Sequence, residues 1–356
     1  ILDSEKNGLL EKYDNVFIGR YIASHLIRFN PNLVRRFEPS REQIYYCLTQ
    51  VLSYLRIAKE VLRKYNIKYA FFTESVYLGA ALTEYLVNSG SKVVYTSYLQ
   101  PVTLSSDYCV NNIYGKSLVY QALSLRFKSF WYIKKDQSVY FRREILRLGR
   151  TALKLRQSSV SYLNSPTSLS TNKKLLSELI DFLPSALPIV ATGSDFLNLL
   201  SKKQTIFIFY LHCFADGPHW EGYSGFSTTY QYFSHINSLI ESHLNDFMVL
   251  IKPHPNLLSG FDSIFKHDQQ NSYDDLENTK LLIADLTQNQ PTKYSIVDPQ
   301  FSNSNFFCHQ SEQVVHVTHH GSVGIEALYS GQKVLCSDSA LYSNLGFGEH
   351  IYTRSN

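Results

Sequence analysis

Cysteine is scarce and scattered: Cys47, Cys109, Cys213, Cys308 and Cys336 make an odd total of five with no CxxC pair. That spacing argues against a disulfide framework or a structural zinc site, and it fits a reducing compartment. Charge is sparse as well, with 18% charged residues and a net charge of +4. So small an excess does not argue for nucleic acid, although it suits an anionic small substrate or an acidic membrane surface. No apolar run approaches the roughly 20 residues that span a bilayer. No signal-peptide pattern opens the chain, and no internal repeat is visible. The chain starts at Ile1 and stops in the polar "YTRSN", so a piece of a longer, cytoplasmic protein is expected. The GxxxxGK[ST] loop is missing, which argues against an NTPase. Asp274 and Asp275 fall in the polar stretch "HDQQNSYDDLENTK", leaving no DxD-type pair at a strand end. His316, His319 and His320 sit at an expected strand end without an acidic or cysteine partner, so no metal is expected there.

What the chain does have is apolar bulk. Its 356 residues are 44% hydrophobic, with 26 Tyr and 22 Phe, enough for two globular domains. Up to about Lys68 the pattern is helical, most clearly in "IYYCLTQVLSYLRIAKEVLRKYN". "KYAFFTES", "LGAALTEYLVNSG" and "KVVYTS" then read as a β-α-β unit, with Gly90 ending the helix. Residues 101–180 are Tyr- and Ser-rich. Within them "FRREILRLGRTALKLRQ" carries five arginines that either face solvent or reach toward phosphates or lipid headgroups. "DFLPSALPIVATGSD" is expected to cross between halves. Beyond it "TIFIFYL", "FMVLI", "KLLIAD", "YSIVDP", "QVVHVTHH" and "KVLCSD" read as strands, with "TTYQYFSHINSLIESHLN" and "GSVGIEALYSG" as helices. The expected fold class is α/β. Two β/α halves imply a ligand cleft at the carboxyl ends of their strands.

Three clusters can carry chemistry there. Gly321, Ser322, Val323 and Gly324 join a strand to a helix, where open N–H groups and glycine backbone suit a phosphate. Glu326, one turn on, can accept from a ribose hydroxyl. An ordinary Ser-capped helix start would look the same. In "KPHP" two prolines fix His254 beside Lys252, a cationic pair suited to a departing phosphate, or else a proline-bounded surface loop. In "LHCFADGPHW" Asp216 follows a buried strand, with His212 and His219 placed to tune its charge. It can serve as a general base, as a nucleophile, or simply as a loop cap. Glu74, at the end of "KYAFFTES", occupies the matching strand-end position in the first half, as an acid/base group or as a helix N-terminal carboxylate.

Taken together, "LHCFADGPHW", "KPHP", "THHGSVGIEALYSGQKVL" and "LYSNLGF" resemble bacterial capsule and O-antigen synthesis proteins. Among these the pattern is most similar to the retaining β-Kdo transferases, which use CMP-Kdo (Kdo is 3-deoxy-manno-octulosonic acid). The resemblance covers roughly residues 205–348 and is faint before them. It implies a GT-B-like architecture, with residues 1–190 as an acceptor-side α/β domain carrying a helical insertion. Residues 191–356 would be the Rossmann-like domain that binds the nucleotide sugar. It further implies double displacement through Asp216, with His219 and Glu74 as further catalytic candidates. CMP would be held by Lys252, His254, Gly321, Ser322, Val323, Gly324 and Glu326, with no metal and no cofactor. Partners are then the CMP-sugar donor, a lipid-linked or growing polysaccharide acceptor and any further catalytic domains, without nucleic acid. Peripheral contact at the inner face of the cytoplasmic membrane stays open. So do an inverting GT-B enzyme using another nucleotide sugar, a sugar-nucleotide epimerase and a non-catalytic sugar-nucleotide-binding module.

Overall fold

The computed structural model describes residues 12–35, 38–72, 77–95, 102–104, 177, 181, 187–214, 228–254, 257, 266–299, 301–307, 309, 311–319, 321, 323–337, 340 and 351–352. The fold is mixed α/β with parallel sheets.

The first part is mostly helical. Helices α1 (Ile18–Phe29) and α2 (Arg41–Lys64) flank a short 3-10 turn, Pro31–Val34. Ser40 starts α2 with a reciprocal cap: its hydroxyl takes the Gln43 amide, and the Gln43 side chain takes the Ser40 amide. Strand β1 (Tyr69–Phe72), helix α3 (Tyr77–Asn88) and parallel strand β2 (Lys92–Tyr95) form the expected β-α-β unit, and β3 (Val102–Leu104) adds an antiparallel edge. Past α3 the Gly90 amide donates to Val87 O and the Ser91 amide to Leu86 O, both at 3.0 Å. That Schellman closure needs a left-handed residue, and Gly90 supplies it at φ 89°. Val51, Leu55, Ala81 and Tyr85 knit α2 and α3 together. Buried Glu84 is satisfied by the Phe17 amide (3.3 Å) and the Tyr21 hydroxyl (2.5 Å).

The second part is a seven-stranded sheet, parallel throughout, in the order β10-β9-β8-β5-β6-β7-β4. Its strands are β4 (Ile189–Val190), β5 (Thr205–Tyr210), β6 (Phe247–Lys252), β7 (Tyr294–Val297), β8 (Val314–Thr318), β9 (Lys333–Cys336) and β10 (Ile351–Tyr352). Helices α4 (Gly193–Leu200), α5 (Thr229–His243), α6 (Lys266–Thr287), α7 (Ser304–Phe307) and α8 (Val323–Tyr329) lie between them in the chain. Alternate strand residues point to opposite faces. Phe207, Phe209, Val249 and Ile251 meet Phe233 and Ile236 of α5 and Ile283 of α6. Ile206, Ile208, Leu250 and Val314 meet Phe196 of α4, Phe306 of α7 and Val323 of α8. Burial on both faces explains why these strands read as unbroken apolar runs.

Two expectations change. "KLLIAD" is not a strand but the last part of α6, because Leu276, Leu282, Ile283 and Leu286 fall on one helical face against the sheet. The stretch expected to cross between halves already supplies the edge strand β4, which pairs with β7, and Thr192, which caps α4. The parts touch at Pro31–Val34: Val34 is fully buried in the core beneath α5 and α6, and the Asn278 amide donates to Asn32 Oδ1 at 2.9 Å.

Candidate functional site

The strand order places a switch point between β5 and β8. From β5 the chain steps to β6 and β7 on one side; from β8 it steps to β9 and β10 on the other. Connections that part in opposite directions leave a crevice outside the carboxyl ends of the two strands, where open parallel sheets take their ligands. His212 and Cys213 lie just past β5 and His254 just past β6; Thr318 ends β8, and His319 and Gly321 follow it.

At this crevice His212 Nε2 shares a hydrogen bond with Thr318 Oγ1 at 3.1 Å, and Thr318 Oγ1 accepts the Gly321 amide at 3.1 Å. Cys213 Sγ lies 3.2 Å from His254 Nδ1. Ser337 donates to His319 O through both its amide (3.1 Å) and its hydroxyl (2.8 Å). The His319 ring meets Tyr232 edge-on at 5.1 Å. Burial raises the Tyr232 phenol well above its ordinary pKa, with the nearby Cys336 adding to the shift, so it stays protonated. Tyr210, at the end of β5, is also held protonated, first by burial and then by the charge of Glu326.

The described candidates divide by role. Lys252, 7% exposed, donates to Phe301 O and Asn303 Oδ1, both at 2.5 Å, and so ties β6 to the chain after β7. His254 and Gly321 stand at the crevice. Val323 buries its side chain in the core, the Gly324 amide already donates to Gly321 O at 3.0 Å, and Glu326 lies in the first turn of α8. Asp216, His219, Glu74 and Ser322 lie outside the described residues. So does His320.

Thr318 and the Cys213–His254 pair were not singled out in the sequence. Their one-dimensional signal is slight, a polar residue at or just past the end of a buried strand, and it acquires meaning only from strand order. Among the described residues no group of three or more His, Cys, Asp or Glu is placed to hold a metal. A separate concavity of about 400 Å³ lies between Tyr13 and α2. Its cations are already paired, Lys59 with Asp14 at 3.3 Å and Arg56 with Glu60 at 3.4 Å.

Comparison of the chain with protein-family models, curated proteins and solved structures finds no match.

Proposed function

We propose that the chain is a glycosyltransferase of GT-B-like architecture that moves Kdo from CMP-Kdo to a bacterial O-antigen or capsular glycan with retention. The observation that supports this reading best is the switch point. The two segments carrying the motif residues, "LHCFADGPHW" and "THHGSVGIE", leave adjacent strands β5 and β8 at their carboxyl ends, and "KPHP" leaves β6 beside them. A phosphate site and a carboxylate on neighbouring strand ends is the arrangement a nucleotide-sugar enzyme needs.

In this reading CMP sits over the β8–α8 turn with His254 on its phosphate side. The Asp216 carboxylate attacks the anomeric carbon, the bond from that carbon to the phosphate oxygen breaks, and CMP departs with the electron pair. The acceptor hydroxyl then displaces Asp216 and gives its proton to a base, for which His219 and Glu74 are the candidates. A ketose centre forms an oxocarbenium-like transition state readily, and the mechanism requires no metal.

Intact-protein mass spectrometry after mixing with CMP-Kdo tests this. The expected result is a Kdo-sized increment that is lost in Asp216→Ala, with CMP affinity retained. An increment that persists in that variant, or a variant that no longer binds CMP, removes Asp216 from the role.

A further inference from the structure

Resting on the nucleotide-site reading, we propose that His212 is a positioning residue that locks the turn between β8 and α8 to the end of β5. The strand β5 stays paired with β6 as far as Tyr210 opposite Lys252, and the Leu211 amide still donates to Lys252 O at 3.0 Å. Its pairing with β8 ends earlier, at Phe209 opposite Val317. Beyond that point the chains part: Phe214 packs in the core on the α5 side of the sheet, Val323 in the core on the α8 side. Where a ladder stops, the backbone groups it would have paired need other partners. Thr318 Oγ1 takes the Gly321 amide and reaches across to His212 Nε2, so one imidazole spans the floor of the crevice.

The space around Gly321 fits the same contact. A Cβ at that position would come within 2.8 Å of His212 Cε1 and 2.8 Å of Thr318 Oγ1, closer than real side chains approach. A side chain there would therefore force the imidazole or the threonine hydroxyl to shift. On its far side the turn is already fixed, because Ser337 holds His319 O and Tyr232 backs the His319 ring. His212 is the stop on the β5 side. It stands two residues before Phe214 and four before Asp216, so the seat that sets the phosphate-side turn also sets where the loop after β5 begins.

The test measures CMP affinity and melting temperature in the wild type, His212→Ala, His212→Gln, Gly321→Ala and the His212→Ala/Gly321→Ala double variant. The prediction is that His212→Ala weakens CMP binding about tenfold, as loss of one part-buried hydrogen bond would. His212→Gln, whose amide can renew the bond to Thr318, should recover part of that loss and keep the fold if the alanine variant does not. Gly321→Ala should also weaken binding, and the double variant should be no worse than Gly321→Ala alone, since the ring the new methyl strikes is gone. Wild-type affinity in folded His212→Ala would overturn the inference while leaving the nucleotide reading in place. Absence of CMP binding in the wild type would overturn the nucleotide reading. The melting temperatures would then decide the contact itself: non-additive losses support it, additive ones refute it.

Discussion

At the scale of single residues, His316 differs from His212 and His254 in being buried away from the crevice's solvent. His316 is fully buried in β8, its Nδ1 bonded to the Tyr210 hydroxyl at 2.9 Å. Burial pulls its pKa down from 6.5 to about 3, so it stays neutral in the folded protein. The unfolded chain begins to bind a proton there as pH falls through 6.5, and the folded chain does so only near 3. Stability therefore falls across that window as pH drops, and above it the group has no effect. With each unit of separation about 1.4 kcal/mol, the full cost is on the order of a few kcal/mol. His316→Gln, which keeps an acceptor for Tyr210, should flatten the melting temperature between pH 6.5 and about 4. An unchanged slope would mean that other groups govern the acid limb.

At the scale of elements, the sequence was most legible where burial was two-sided. "TIFIFY" and "FMVLIK" are strands because both faces of the sheet are covered, which makes the side chains apolar apart from Thr205 and Lys252 at the strand ends. The same rule misleads at "KLLIAD". A short apolar run does not distinguish a strand from the buried turns of a helix, and the polar residues before it belong to the same α6 helix. Leu282 is fully buried on that helix, so Leu282→Ala should cost roughly 2–5 kcal/mol. Urea denaturation would measure it, and a loss below about 0.5 kcal/mol would deny α6 its place in the core. Strand β4 escaped notice for a different reason: two residues after Pro188 have no periodicity to read, and only pairing with β7 makes them a strand.

At the scale of the whole molecule, the α/β class was readable, but the order in which the strands assemble was not. Strand order is not written in local pattern. Nothing in "YLHC" or "VTHHG" announces that β5 and β8 are neighbours, so the bond between His212 and Thr318 could not be foreseen. Likewise "KPHP" suggested that Lys252 and His254 act together, yet the fold sends Lys252 to Phe301 and Asn303 and pairs His254 with Cys213. Two residues apart, they would share a face if the strand continued, but β6 ends at Lys252, and the chain beyond it carries His254 to Cys213. The docking of Val34 under α5 and α6 joins the helical part to the sheet at a point equally invisible in sequence.

The central claim is that the crevice between β5 and β8 is a cytidylate site. Calorimetric titration of CMP and UMP into the wild type and His254→Ala tests it most directly. The account predicts saturable binding of one CMP per chain, tighter than UMP, and about tenfold weaker when the imidazole beside Cys213 is removed. No heat with CMP, or an affinity that His254→Ala leaves unchanged, would contradict it.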